Sequence, residues 1–236
     1  GDLVNTVVTD KNGVAKSDTL PLGRYTIRET KAPMFYSAAA QPIEAEIEFS
    51  GQIVRIEVLN QSVYTNVSVS KRGYKQVTPS QTIRYDFKNI ANNSTVPLNS
   101  FYWRDTLPTS AVRLTKIVTG TWNQRLSYKV VYKTNLHDYR TLADNLSTMK
   151  NYSLDASSAA LGLASNEYVT DFMFVFGTVK AGFAQVDAPY IFCWTNSWLN
   201  NGYQFTNRTD VGGLHGGQWI MATDRWVTTV YKPGVT

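Results

Sequence analysis

Apolar and polar positions alternate along most of this chain. In RYTIRET (24–30), Tyr25 and Ile27 alternate with polar neighbours, and one more step of the same period reaches Glu29. A period of two is the mark of a half-buried strand. IEAEIEF (43–49) and GQIVRIEVLN (51–60) repeat it; in the second, Val54, Ile56 and Val58 share a face whose next position is Asn60. The pattern restarts after Tyr64. TNVSVSK (65–71) puts Val67, Val69 and Lys71 on one face, TIRYDF does the same for Ile83, Tyr85 and Phe87, and NSFYWRDTLP for Phe101, Trp103 and Asp105. Strand-like runs continue at RLTKIV, LSYKVVY, YVTDFMFVFG, APYIFCW, YQFTNRTDV, QWIMA and WVTTVY, with Asn207 on the face of Phe205. Only LDASSAALGLA (154–164) reads as helical, with Asp155 as its N-cap.

Turn chemistry separates these runs. TDKNG (9–13) carries an Asn-Gly pair that tolerates positive φ, LPLG (20–23) is a second turn, and Pro33 interrupts any ladder after Lys31. GGLHGG (212–217) precedes a strand-like run rather than a helix, so it reads as a hairpin and not as a phosphate loop. Many short strands with Gly, Pro and Asn between them specify an all-β chain of two tandem β-sandwiches. The boundary falls near residues 61–65, giving domains at 1–62 and 63–236, the second the larger and Ig-like.

Five polar residues interrupt the apolar faces: Glu29 and Asn60 in the first domain, Lys71, Asp105 and Asn207 in the second. Burying a charge costs several kcal/mol unless it is paired or neutralised. For Lys71, Asp105 and Asn207 two readings stand side by side. One is a buried Lys71–Asp105 ion pair, with Asn207 bonding backbone at a strand end. The other is a covalent cross-link, for which a lysine, an acid and an asparagine are the three parts. The terminal run WVTTVYKP holds no asparagine, which favours the first.

Composition removes several function classes. Hydrophobic content of 43% and charged content of 17% describe a globular chain. The net charge is +5, yet the 23 Lys and Arg are dispersed, so no nucleic-acid partner is expected. The lone Cys193 excludes a disulfide within the chain, and two distant histidines give neither a metal site nor a catalytic base, so no cofactor and no enzyme turnover are expected. No window has the length of a transmembrane helix, so no membrane contact is expected in this segment. The aromatics of YIFCWTNSW, Trp194 and Trp198, are expected to fill a core, the alternative being an exposed ligand patch.

VTDKNGVAKSDTLPLGRYTIRETKAPMFY, with its LPxGxYxIxETKAPxxY pattern and a closing strand ending in Asn, resembles the latter half of a SpaA-like, or Cna B-type, domain of Gram-positive surface proteins and pilins. The resemblance implies a transthyretin-like (prealbumin-like) sandwich with a spontaneous Lys–Asn isopeptide bond. Glu29 matches the catalytic glutamate and Asn60 the bond-forming asparagine. The family's nucleophilic lysine belongs to a first strand that should precede Gly1; Lys11, Lys16 and Lys31 do not match it, so the first domain is expected to be partial. Residues 66–236, through VSVSK, PSQTIRYDFKNIANNS, FYWRDTLP and FTNRTDV, resemble the conserved-repeat stalk domain of bacterial surface proteins. Together the resemblances imply a stalk or pilin-like segment at the Gram-positive cell wall, partnered by other domains of the same protein. Its only reaction would be a single intramolecular one. The alternative is that the second domain is itself an adhesin for host extracellular or surface ligands.

Overall fold

The computed structural model describes residues 1–234, and every regular element among them is a strand. The chain divides into two compact units, residues 1–63 and 64–236.

The first unit holds β1 (Gly23–Ile27), β2 (Tyr36–Ser37), β3 (Ile43–Ile47) and β4 (Gln61–Ser62). β1 and β3 run antiparallel with Ile27 opposite Ile43, and β2 pairs with β4. The predicted alternation is visible in β1, where Tyr25 and Ile27 are half-buried and Arg24 and Thr26 exposed, and it continues past the strand end to Glu29. No described side chain in this unit is fully buried, so its faces are only half closed. The strand expected over 51–60 is not formed. Residues 53–60 carry no regular structure, and Val54, Ile56 and Val58 remain 40%, 42% and 37% exposed. Alternation sets which side chains share a face, but a strand also needs a neighbour to take its backbone hydrogen bonds. In this unit β1 and β3 take each other.

The second unit is a β-sandwich. Its strands are β5 (Val67–Arg72), β6 (Gln76–Val77), β7 (Thr82–Asn92), β8 (Leu98–Thr106), β9 (Val112–Val118) and β10 (Ser127–Thr134). They continue with β11 (Arg140–Ser147), β12 (Ser153–Asp155), β13 (Val169–Val179), β14 (Tyr190–Thr195), β15 (Gln204–His215) and β16 (Gln218–Val230). A seven-stranded sheet runs β11-β10-β13-β8-β15-β16-β6 and a five-stranded sheet β12-β9-β14-β7-β5. Their inner faces interdigitate as a layer of aromatics and β-branched residues, as aligned sheets do. Trp103 lies 4.6 Å from both Phe87 and Phe174, and its indole N–H donates to the Thr209 hydroxyl at 2.8 Å. Gly216 and Gly217, both at positive φ, turn the β15–β16 hairpin, and Gly213 lies where a Cβ would meet Leu98 at 2.8 Å.

Residues 154–164 are not helical. Leu154 is held in a ladder opposite Ile117, the Asp155 carboxylate accepts from the Ser157 N–H at 3.0 Å, and Gly162 at positive φ ends the following turn. A helix this short is marginal alone, and the ladder takes its first turn away. The loop after it is tied down by Glu167, which accepts hydrogen bonds from the Thr134 hydroxyl at 2.7 Å and from Arg140, with the His137 ring at 2.8 Å. These bonds, led by Thr134, hold its carboxyl down at about 2 from 4.5. A depressed acid contributes stability above its unfolded pKa and loses it as pH falls through the folded one. Stability should therefore drop between pH 4.5 and 2. Glu167→Gln should flatten that limb in urea melts taken across this range, and an unchanged limb would remove Glu167 as its source.

Candidate cross-linking sites

Lys71 is the last inward residue of β5, at the edge of the five-stranded sheet, while Asp105 sits on β8, the central strand of the other sheet. Their side chains meet across the sandwich, Lys71 Nζ to Asp105 Oδ1 at 2.7 Å, with neither exposed at all. The ammonium position lies 4.0 Å from the Phe87 ring centre and 4.3 Å from that of Tyr85. The Lys71 backbone N–H donates to Asp224 on β16 at 2.7 Å, which fixes the edge strand against the opposing sheet. Burial lowers the Lys71 pKa, opposed by the attraction of Asp105, and burial raises that of Asp105, opposed by Lys71. Each group is thus pushed toward its neutral form, a free amine beside a protonated carboxyl.

Asn207 lies inside β15, on the face of Phe205 and Thr209. Thr209 is the cross-strand neighbour of Asp105, so Asn207 sits on the diagonal from that carboxyl, within side-chain reach. Burial raises the pKa of both Asp105 and the Tyr85 hydroxyl. Neither Asn207 Oδ1 nor Nδ2 has a hydrogen-bond partner, and Asp105 Oδ2 and Tyr85 Oη are likewise buried and unpartnered. An unmet buried polar group costs about 1–3 kcal/mol, so four of them in one place call for an explanation. The ion-pair reading of the sequence is therefore half right. Lys71 and Asp105 do meet, but Asn207 bonds no backbone and is not at a strand end.

In the first unit the structure joins Glu29 and Asn60 directly. Asn60 Nδ2 donates to Glu29 Oε1 at 3.0 Å, and Glu29 Oε2 accepts the Ala39 N–H at 2.8 Å. Asn60 Oδ1 is buried without a partner. Both residues are half-buried rather than on a closed core. None of Lys11, Lys16 and Lys31 bonds to either among the described residues.

The family comparison falls on this unit. Residues 1–62 match the family model of SpaA, described as a prealbumin-like fold domain. The match spans the first unit almost end to end and none of the second. No curated protein matches the chain by sequence. Among solved structures it is similar to a variant of BcpA, the major pilin subunit of Bacillus cereus, at 13% identity over 98% of this chain and 61% of that one, with a TM-score of 0.38. It is also similar to the full-length major pilin SpaD of Corynebacterium diphtheriae, at 17% identity over 94% and 51%, TM-score 0.32. A cohesin module from Clostridium perfringens matches at 8% identity over 71% and 99%, TM-score 0.34. The chain thus spans under two thirds of either pilin.

The remaining candidates separate cleanly. Cys193 is fully buried and its thiol is pushed up, first by desolvation, so thiol reagents should label it only on unfolding. Among the described residues no cluster of His, Cys, Asp or Glu could hold a metal, and no helix is long and apolar enough to cross a membrane. Trp194 and Trp198 do not fill the core: they are 44% and 64% exposed, because β14 turns Ile191 and Cys193 inward instead. The pattern missed Asp224, whose role depends on which strand lies opposite Lys71.

Proposed function

We propose that this chain is a structural, stalk or pilin-like segment of a Gram-positive cell-wall-anchored surface protein, braced by Lys–Asn isopeptide bonds. The observation that supports it best is the buried trio of Lys71, Asp105 and the unpartnered Asn207. The match of residues 1–62 to a SpaA-type domain agrees with that setting.

The chemistry follows from the two shifted groups. The neutral Lys71 amine adds to the Asn207 side-chain carbonyl carbon, while the Asp105 carboxylic acid donates a hydrogen bond to its oxygen. The tetrahedral adduct collapses with its proton relayed through Asp105 to the leaving nitrogen. One C–N bond forms, one breaks, and ammonia departs. The product amide places an N–H where the amine stood and removes the unpartnered Nδ2. Since β5 and β15 belong to opposite sheets, the bond would clamp the sandwich through its core.

Glu29 and Asn60 fit the same roles in the first unit, as acid and acceptor, for a lysine brought by a further strand. Intact mass of the purified chain tests the reading. The sequence mass less one ammonia, with a cross-linked Lys71–Asn207 peptide after digestion, is the expected result. Loss of one water would redirect the bond to Lys71 and Asp105, and the unmodified mass would leave only an ordinary packed sandwich.

A further inference from the structure

Lys71 is the last inward residue of β5, and β5 is an edge strand that only β7 pairs within its own sheet. Past Arg72 the chain leaves that sheet, and a strand end with one neighbour frays easily. What holds it is β16, the last strand among the described residues. The Lys71 N–H donates to Asp224 Oδ2 at 2.7 Å, and Asp224 Oδ1 accepts the Arg225 N–H at 2.8 Å, which fixes the carboxylate's orientation. The next residues are gripped too. The Tyr74 carbonyl accepts from the Trp226 indole N–H at 2.9 Å and the Thr228 hydroxyl at 2.8 Å, and the Lys75 carbonyl accepts the Thr229 N–H at 2.9 Å. Gly73 runs so close between Trp226 and Tyr85 that a Cβ there would meet each ring at 2.8 Å. Asp224 is thus the first in a run of contacts through which β16 holds the segment that begins at Lys71.

The strand that supplies Asp224 is also tied to the acceptor. β15 and β16 form one hairpin whose ladder runs without a bulge from Gln204 opposite Thr229 to His215 opposite Gln218. Thr209 is the neighbour of Asp105 on one side and of Asp224 on the other, and Asn207 is the neighbour of Trp226. Acid, acceptor and the grip on the nucleophile's backbone therefore share one stretch of three adjacent strands, in fixed register. Asp224 is not a second acid for the reaction. Each of its oxygens accepts a backbone N–H, and it meets the main chain of Lys71 rather than Nζ. Its charge works the other way: burial lowers the Lys71 pKa, and the charges of Asp105 and, more weakly, of Asp224 raise it. Grip and charge have opposite effects on an amine that must be neutral to attack, so substitution can separate them.

We infer that Asp224 is a positioning residue for the cross-linking reaction: by holding the backbone of Lys71 to the hairpin that carries Asn207, it sets the amine at attacking distance from the Asn207 side-chain carbonyl. This role rests on the isopeptide reading and adds to it a residue that touches neither reacting atom. Attack needs the two atoms about 3–3.5 Å apart, and a misplacement of about 1 Å costs about a hundredfold in rate. A lysine whose Cα is free to swing spreads its amine over far more than that. Because β5 opens the unit and β16 closes it, the amine is set only when the last strand has docked, and the bond seals a sandwich that is already complete.

The test is the rate of ammonia loss, followed by intact mass in full chains made by cell-free translation and quenched in acid at intervals. Asp224→Ala should slow the loss about tenfold to a hundredfold. Asp224→Asn keeps an oxygen for the Lys71 N–H and drops the charge, so it should restore the unsubstituted rate or exceed it. The fold is checked in the Asn207→Ala background, where no bond can form. There Asp224→Ala should keep a cooperative melt and speed hydrogen exchange at the Lys71 amide, while the buried, paired Val130 of β10 exchanges as before. An unsubstituted chain that never loses ammonia would overturn the isopeptide reading and this role with it. If that chain does react, three results would overturn the positioning role alone: Asp224→Ala reacting as fast, Asp224→Asn as slow as Asp224→Ala, or Lys71 exchange unmoved by Asp224→Ala. Loss of the cooperative melt would make Asp224 a folding residue instead and overturn it likewise.

Discussion

The Asn207→Ala chain should keep its full sequence mass and melt roughly 10–20 °C below the unsubstituted protein. A bond from residue 71 to residue 207 closes a very long loop, and removing such a constraint on the unfolded chain is worth about 5 kcal/mol. For a domain of this size each kcal/mol moves the midpoint by about 2–4 °C. The substitution leaves the Lys71–Asp105 contact in place, so the loss reports the covalent bond and not the ion pair. Asp105→Ala should also keep the full mass, for a different reason: the amine and the amide remain, but the acid that polarises the carbonyl is gone. It should melt lower still, since it also leaves the buried amine without its hydrogen-bond partner, a change that costs about 1–3 kcal/mol more. Calorimetry beside intact-mass measurement separates the two variants. An unsubstituted chain that already has its full mass, and an Asn207→Ala chain that melts with it, would show that no bond forms.

The second large effect belongs to Glu29 and Asn60. A synthetic strand carrying one lysine among alternating apolar residues should become covalently attached to the chain through Asn60. The exposed row of Val54, Ile56 and Val58 leads along the backbone to Asn60, whose Oδ1 is buried and unpartnered and whose amide already touches Glu29. Docking of the strand would cover that row and supply the desolvation that the half-buried pair lacks, which favours the neutral amine and the protonated acid. The readout is a reducing-gel shift equal to the peptide. It should vanish in Asn60→Ala, in Glu29→Ala and with a peptide whose lysine is replaced by norleucine. A shift that survives all three would place the attachment elsewhere.

Much of this architecture was legible beforehand, and residue by residue the reason is the same. Val67, Val69 and Lys71 share a face because a strand alternates, and no tertiary information is needed to say so. The same period put Phe101, Trp103 and Asp105 together, Asn207 with Phe205, and Glu29 behind Ile27. Alternation alone does not make a strand of 51–60, because periodicity describes a face and not the neighbour that completes a ladder. The short helix at 154–164 failed for a related reason: pairing of Leu154 with Ile117 outweighed a weak local preference. Size alone puts Trp194 and Trp198 inward, whereas the alternation of β14 turns Cys193 in and Trp194 out.

The sequence by itself determined the all-β class, a break near residues 61–65 and the shared faces of Glu29, Lys71, Asp105 and Asn207 with their apolar neighbours, since period, turn chemistry and composition are local properties. Only the tertiary structure decided that Lys71 reaches Asp105 across two sheets, that Asn207 comes beside them without a partner, and that Asp224 holds the Lys71 backbone. Those outcomes depend on strand order, and strand order is set by which distant segments bury the most apolar surface together, a quantity that no window of neighbouring residues contains.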